Sequence, residues 1–159
     1  MVIRNFQKSD LKAVEEIFVL YWTDSEFLKK LSTKLEMCIG QTKEYIDKKY
    51  RFFVAEENGE VVGIVIIRNA PDAMRIYAQT DNPVELYVIA AKYKNRGIGK
   101  ELRKKAIEEA KHLGFTEMVF YSPDSHKESW NFHDQLNFER VEGVVSFDEE
   151  PGRIWRKIL

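Results

Sequence analysis

The chain has 159 residues, 44% of them hydrophobic and 32% charged, a balance typical of one folded domain spanning 1–159 rather than of a disordered segment. Its net charge of −1 at pH 7 gives no overall attraction for nucleic acid or an anionic membrane. A lone cysteine, Cys38, excludes an internal disulfide, and no Cys/His cluster has the spacing of a metal site. Without a signal-like or membrane-spanning run, a cytoplasmic protein is expected.

The first half of the chain predicts a strand, three helices and a β-hairpin. Apolar residues recur at helical spacing in three segments, and Thr42 is placed to cap the third of them. Two apolar runs flank Asn58 and Gly59, a pair that is a strong signal for a hairpin turn. In chain order the elements are a strand at 2–6, helices at 9–22, 25–40 and 42–50, and the hairpin at 51–68.

The second half predicts strands that alternate with helices after an unassigned segment, 69–83. A strand, a crossover helix and a second strand imply one parallel pair inside a largely antiparallel sheet, and hence a mixed α/β class. The last helix shows a capping box from Ser125 to Glu128 and a stop at Asn137. The elements are strands at 84–90 and 116–122, helices at 97–113 and 125–137, and a closing antiparallel pair at 139–147 and 153–159 around the turn 148–152.

Two glycines, Gly97 and Gly99, stand at the start of the helix predicted for 97–113. Glycine destabilises a helix by up to about 1 kcal/mol relative to alanine, so a functional reason is expected. A helix N-terminus presents unpaired N–H groups and the positive end of its dipole, and glycine lets an anion approach them closely. Because seven Lys and Arg residues face one acid between Lys92 and Lys105, the sequence predicts a phosphate or pyrophosphate site here.

Two common phosphate-binding motifs do not fit this segment. A Walker A loop would need glycine where Lys94 stands and serine or threonine where Glu101 stands. A dinucleotide-binding fingerprint would need a third glycine where Leu102 stands. A tight strand-to-helix turn without any ligand is the alternative that the motif alone leaves open.

The segment 86–102, LYVIAAKYKNRGIGKEL, resembles the signature Gln/Arg-x-x-Gly-x-Gly/Ala of the GNAT superfamily of acyl-CoA-dependent N-acyltransferases, with Lys94 in the Gln/Arg place. The resemblance covers most of the chain, since 3–18 and 52–68 are similar to the family's first strand and helix and its central hairpin. Segment 126–141 resembles the family motif Asn-x-x-Ala-x-x-Phe-Tyr-x-x-x-Gly-Phe. The chain departs from the family pattern at Ala91 (usually Pro), His126 (Asn), His133 (Tyr) and Asn137 (Gly).

The resemblance implies the GNAT fold, a mixed and mostly antiparallel α+β sheet with helices on both faces and the fourth and fifth strands splayed apart. Acetyl-CoA would be the co-substrate, with its pantetheine arm between those strands and its pyrophosphate on the glycine turn. No metal is implied. The implied contacts are Val88, Ile89 and Ala90 for the arm, Lys94, Asn95, Arg96, Gly97, Ile98, Gly99 and Lys100 for the pyrophosphate, and His126 and Asn131 from the last helix.

The same resemblance gives catalytic roles to two residues. An alkylamine with a pKa of about 10 is protonated at pH 7, and Glu85 stands where many family members carry a Glu or His that removes the proton. His133 replaces the family's tyrosine and would donate a proton to the leaving sulfur, as an imidazolium or through a neutral N–H. An imidazole with a pKa of about 6.5 would make the rate fall earlier on the alkaline side than a tyrosine would. An ordinary strand carboxylate and a packed helix histidine are the alternatives.

The expected reaction is direct acetyl transfer to a primary amine on a small molecule or a protein, in a ternary complex. No nucleic-acid or membrane partner is expected, and a homodimer is compatible with the sequence. Acceptor specificity is expected in the segments 20–50 and 69–83. The acidic turn 148–150 would attract a cationic acceptor such as a polyamine or a lysine side chain, although charged turns are usually just solvated.

Two non-enzyme functions stay open at this point. One is an acyl-CoA-binding regulatory module without turnover, which the His133 departure favours. The other is a nucleic-acid-binding domain. Two observations argue against it: acidic residues lie on the same helix as the cations, and no aromatic residues that could stack on bases are interleaved with them.

Overall fold

One mixed β-sheet carries helices on both faces in the computed structural model, which describes residues 1–147 and 150–159. The strands are β1 (Val2–Asn5), β2 (Arg51–Glu57), β3 (Glu60–Asn69), β4 (Pro83–Ala91), β5 (Glu117–Pro123), β6 (Glu139–Arg140), β7 (Val145–Phe147) and β8 (Glu150–Ile158). The helices are α1 (Leu11–Phe18), α2 (Ser25–Gly40), α3 (Lys43–Asp47), α4 (Asp72–Arg75), α5 (Ile98–His112) and α6 (Trp130–His133), with 3₁₀ turns at Lys8–Asp10 and Asp124–Ser129.

The strands pair in the order β1-β2-β3-β4-β5-β8-β6, and β7 pairs with β8 as well. Every neighbouring pair is antiparallel except β4 and β5, which run parallel because α5 crosses between them. This confirms the mixed, mostly antiparallel sheet and the parallel pair that the sequence predicts. No helix in the described part of the chain combines the length and apolar content that a membrane crossing needs.

The two parallel strands separate soon after they meet, which confirms the predicted splay. Their ladder holds three pairs and ends at Glu85 and Val119. Beyond that point β4 continues to Ala91 paired with β3, and β5 continues to Pro123 paired with β8. A register shift against β3 makes Tyr87 a bulged residue at the same point. The facing edges of β4 and β5 are therefore free of each other over the second half of each strand.

Apolar side chains form one core on each face of the sheet. On one face α1 and α2 bury Val14, Phe18, Leu31 and Leu35 against β2, β3 and β4. On the other face α5 buries Leu102, Ala106 and Ala110 against the sheet.

Gly63 on β3 determines how closely α5 approaches the sheet. A Cβ at this position would lie 2.8 Å from side-chain carbons of Ile98 and Leu102 and 3.1 Å from the Ala90 carbonyl oxygen. The first turn of α5 therefore packs directly on the backbone of β3 at Gly63, where there is no side chain. The sequence gives no hint of this contact, because Gly63 and Ile98 are far apart in the chain.

We expect Gly63→Ala to lower the free energy of unfolding by about 1–3 kcal/mol, because the added methyl group overpacks this contact. Urea denaturation measures the change. Gly40→Ala is the matched control, since its Cβ would meet only the Thr42 methyl group at an ordinary 3.7 Å. Equal midpoints for wild type and Gly63→Ala would contradict the expected contact.

The long helix predicted for 125–137 is wrong for most of its length. Residues 124–129 form a 3₁₀ turn, and only α6 is α-helical. Ser125 does not cap a helix, because its hydroxyl group donates to the Glu150 carboxylate. The backbone at His126 is non-helical, and Leu136 and Asn137 adopt positive φ angles of 59° and 63°.

The closing strand predicted for 139–147 is interrupted in the structure. Two short strands, β6 and β7, take its place and pair with β8, and Gly143 between them has a φ of 99°. The partner strand β8 begins at Glu150, three residues before the predicted start at 153. Part of the predicted turn 148–152, residues 148 and 149, lies outside the described residues.

Candidate active site

The turn between β4 and α5 has the backbone of an anion site. Asn95 and Gly97 adopt left-handed φ angles of 60° and 77°, and Gly97 is the N-cap residue of α5. Among the described residues, none accepts a hydrogen bond from the N–H groups of 94–100. Unpaired N–H groups on successive residues at a helix N-terminus favour phosphate, so this part of the chain fits a pyrophosphate.

The two glycines of this turn are required for different reasons. Gly97 has a positive φ, and its Cβ would point into open space. Gly99 has no such angle, but its Cβ would lie 3.0 Å from the ring of Phe132. The second glycine therefore lets Phe132 of α6 pack closely on the first turn of α5, a role that the sequence does not reveal.

The cationic patch is smaller in the structure than in the sequence. Lys92 pairs with Glu60, and Arg103 is fully buried. Lys104 and Lys105 each pair with a glutamate on α5. Three of the seven cations, all without an ion pair among the described residues, are left at the turn: Lys94, Arg96 and Lys100.

The residues predicted for the pantetheine arm lie on β4 beyond the end of its ladder with β5. Val88 and Ala90 point into the core beneath α1 and α2, whereas Ile89 packs on the face of α5. Ile98, predicted for the pyrophosphate, is a core residue that is 1% exposed, so only its backbone can contact a ligand.

A small cavity lies beside the glycine turn, between the end of β4, the segment after α1 and the 3₁₀ turn at Asp124–Ser129. The Tyr21 hydroxyl donates to the Ala91 carbonyl at 2.6 Å, and His126 Nε2 donates to the Tyr21 carbonyl at 3.0 Å. His126 therefore reaches the mouth of the splay, while Asn131 is exposed on α6. The cavity of about 290 Å³ is lined by Leu20, Tyr21, Lys92, Lys94, His126 and Glu128.

Glu85 is a buried carboxylate at the last pair before the splay, 7% exposed. Its Oε1 accepts from Arg68 Nε at 2.6 Å, directly across the β3–β4 register. Arg68 also stacks on Tyr87 and donates to the Tyr50 hydroxyl at 3.0 Å. Burial raises the pKa of Glu85, and Arg68 offsets part of that rise. Oε2 accepts no hydrogen bond from the described residues, and the side chain is 10% exposed, so a water molecule can serve as its partner.

His133 is buried on the other face, 7% exposed, at the end of α6. Its ring lies 4.9 Å from the ring of Phe120 and 5.1 Å from that of Trp155. Burial, aided by the nearby Arg103 charge, lowers the pKa of His133 to about 3. The ring is therefore neutral at pH 7, and the structure does not support the imidazolium alternative or the early alkaline loss of rate expected from it.

The two predicted catalytic residues reach the splay from opposite faces of the sheet. Glu85 lies with Arg68 and Tyr87 on the face of α1 and α2. His133 packs with Phe120 and α5 on the other. A reacting group in the gap between β4 and β5 would thus have a carboxylate on one side and an imidazole on the other.

The chain belongs to the GNAT family of acetyltransferases, whose family model matches residues 11–138. A GNAT-family protein from Desulfovibrio desulfuricans has the same fold, with a TM-score of 0.80 at 16% identity over 99% of this chain and 98% of that one. PaiA N-acetyltransferase from Thermoplasma acidophilum, in complex with coenzyme A, gives a TM-score of 0.69 at 17% identity over 99% and 98%. Ribosomal-protein-alanine N-acetyltransferase from Brucella melitensis gives 0.71 at 22% identity over 100% of both chains.

Sequence reasoning missed two arginines at this site. Arg68 sits at the end of an apolar strand, where it resembles an ordinary edge cation. Arg103 is one of the seven cations that the sequence assigns to the phosphate site. The available signal is its spacing, four residues after Gly99 and three before Ala106, which places it beside the apolar face of α5.

Proposed function

We propose that the protein is an N-acetyltransferase that moves an acetyl group from acetyl-CoA to a primary amine by direct attack in a ternary complex. The observation that carries this proposal is the opening between β4 and β5, which leads into a turn of unpaired N–H groups at the start of α5. The edge of β4 would bind the pantetheine arm, and the N–H groups of 94–100 with Lys94, Arg96 and Lys100 would bind the pyrophosphate.

Acetyl-CoA supplies an activated acetyl group, and the chain supplies orientation and proton transfer. The amine nitrogen forms a bond to the carbonyl carbon, the carbon–sulfur bond breaks, and the sulfur leaves with the electron pair. Glu85 accepts the amine proton through a water molecule at Oε2, the oxygen that Arg68 does not bond. Its raised pKa makes it a stronger base than an exposed carboxylate. The acceptor enters on the face of α1 and α2, where Glu85 and Tyr87 lie.

A regulatory module that binds acyl-CoA without turnover is the second candidate. The observation that favours it is the neutral, buried His133 at the position of the family's tyrosine, because a neutral imidazole is a poor proton donor. Such a module would bind acetyl-CoA and release no coenzyme A with any amine.

Calorimetric titration with acetyl-CoA is the first test, with binding in the micromolar range expected. Lys94→Glu/Lys100→Glu should weaken binding about 100-fold, because each reversal removes one charge-assisted contact. Lys29→Glu/Lys30→Glu on exposed positions of α2 is the matched control with the same change in net charge, and it should bind like wild type. An amine screen read out by release of coenzyme A then separates the enzyme from the regulatory module.

No binding by folded wild-type protein would overturn the proposal. Equal weakening in both double variants would show that only net charge matters, and would remove the pyrophosphate from the turn.

A further inference from the structure

Arg103 is a fully buried cation without a carboxylate partner among the described residues. It is 0% exposed, and its guanidinium lies 4.0 Å from the ring of Phe132, 5.1 Å from Phe138 and 5.4 Å from Phe120. Burying an unpaired charge is costly, and apolar side chains often replace buried charges with no loss of stability. Its position therefore calls for a reason other than stability.

The hydrogen bonds of Arg103 all go to the end of α6. Nη1 donates to the carbonyl oxygens of Phe132 at 3.1 Å and His133 at 3.4 Å. Nη2 lies 2.9 Å from His133 Nδ1. Nε has no partner among the described residues. Arg103 thus fixes both the backbone and the imidazole ring of one residue.

The Arg103 contact decides which nitrogen of His133 carries the proton. Burial lowers the pKa of Arg103 to about 10, which still leaves the guanidinium protonated at pH 7. Arg103 can only donate, so Nδ1 accepts and the proton of the neutral ring sits on Nε2. Nε2 has no hydrogen-bond partner among the described residues, and 7% of the residue surface is exposed, so Nε2 is free to donate to a ligand.

The His133 ring lies against the part of β5 that has separated from β4. The ring packs on Phe120, the first residue of β5 beyond the ladder with β4. Four charged or titratable groups act on the ring: one from α5, one from the 3₁₀ turn at 124–129, one directly after α6 and one from β6. Arg103, His126 and Arg140 oppose its protonation and Asp134 favours it, while Asp134 is itself bonded to Trp155 Nε1 and Arg140.

We propose that Arg103 is a positioning residue that holds His133 as a neutral Nε2–H donor of a hydrogen bond to the sulfur leaving with coenzyme A. This inference rests on the proposed function. His133 keeps its proton throughout, since a neutral imidazole is a weaker acid than a thiol, and it stabilises the charge that the sulfur gains with the electron pair. A neutral histidine acts on developing negative charge in the same way in triosephosphate isomerase.

Nitrogen-15 NMR of the full-length protein tests the tautomer without any turnover. His133 should show a protonated Nε2 and an unprotonated Nδ1, unchanged from pH 5.5 to 8. Loss of this signal in His133→Asn assigns it among the three histidines. A proton on Nδ1, or titration within this range, would overturn the inference even if the enzyme proves active.

A kinetic double-mutant cycle tests the positioning role. Arg103→Met should lower kcat about tenfold or more while the Kd for acetyl-CoA stays unchanged, because the developing charge loses an oriented donor. In the His133→Tyr background the same substitution should change kcat less than about twofold. A phenol has only one O–H group, so it does not depend on Arg103 to place its proton. An equal loss in both backgrounds would make Arg103 purely structural and overturn the inference. Wild type that neither binds acetyl-CoA nor releases coenzyme A would instead overturn the proposed function.

Discussion

Glu85→Gln is expected to lower kcat/KM for an amine acceptor about 100-fold or more at pH 7, because general-base catalysis contributes at least that much. Glutamine keeps the shape of the side chain and leaves an oxygen for Arg68 Nε, but it cannot take up a proton. Binding of acetyl-CoA should be unchanged, since Glu85 lies outside the glycine turn. Steady-state kinetics and calorimetric titration measure the two effects separately.

The activity lost in Glu85→Gln should return as the pH rises, because a deprotonated amine no longer needs a base. Glu117→Gln is the matched control. Glu117 is also a buried carboxylate at the β4–β5 ladder. It accepts hydrogen bonds from the backbone N–H groups of Gln79 and Thr80, so it holds that segment in place rather than facing a substrate. This control should lose stability and keep kcat/KM. A value for Glu85→Gln within about threefold of wild type would exclude Glu85 as the base.

The second large effect is on stability in acid. The pKa of His133 is about 3 in the folded protein and 6.5 in an unperturbed chain, so the unfolded state binds the extra proton between these values. The stability that the neutral His133 contributes is fully present above pH 6.5 and is lost as the pH falls toward 3. We expect a loss of about 2 kcal/mol from this group between pH 7 and pH 5.

His133→Asn isolates this contribution, because asparagine can accept from Arg103 and does not titrate. The variant will be less stable at pH 7 from lost packing, but the difference in free energy of unfolding between it and wild type should shrink by about 2 kcal/mol by pH 5. Urea denaturation at both pH values measures this difference. Parallel pH profiles for the two proteins would mean that His133 titrates normally in the folded state.

Much of the fold is predictable from the sequence because its signals are local. The hairpin follows from Asn58 and Gly59, and the parallel pair follows from one crossover helix between two apolar strands. The helix predicted after β5 is wrong for the same reason. A local capping pattern at Ser125 was outweighed by a contact with Glu150, which lies on a distant strand.

The candidate site divides along the same line. The glycine turn is readable because a helix start, glycines and cations are adjacent in the chain. The state of His133 is not readable, because it depends on burial by Phe120 and Trp155 and on a hydrogen bond from Arg103. Three separate elements bring those groups together, and no spacing in the sequence reports on them.

The close packing of Phe132 on Gly99 couples two positions on different helices, α6 and α5. A Cβ at position 99 would lie 3.0 Å from the Phe132 ring, so a larger residue there requires either a shift of the ring or a smaller residue at 132. The neighbours of this pair are the N–H groups of the turn on one side and His133 on the other. Variation at either position would therefore affect both the glycine turn and His133, and an engineered substitution has to treat the two positions as one.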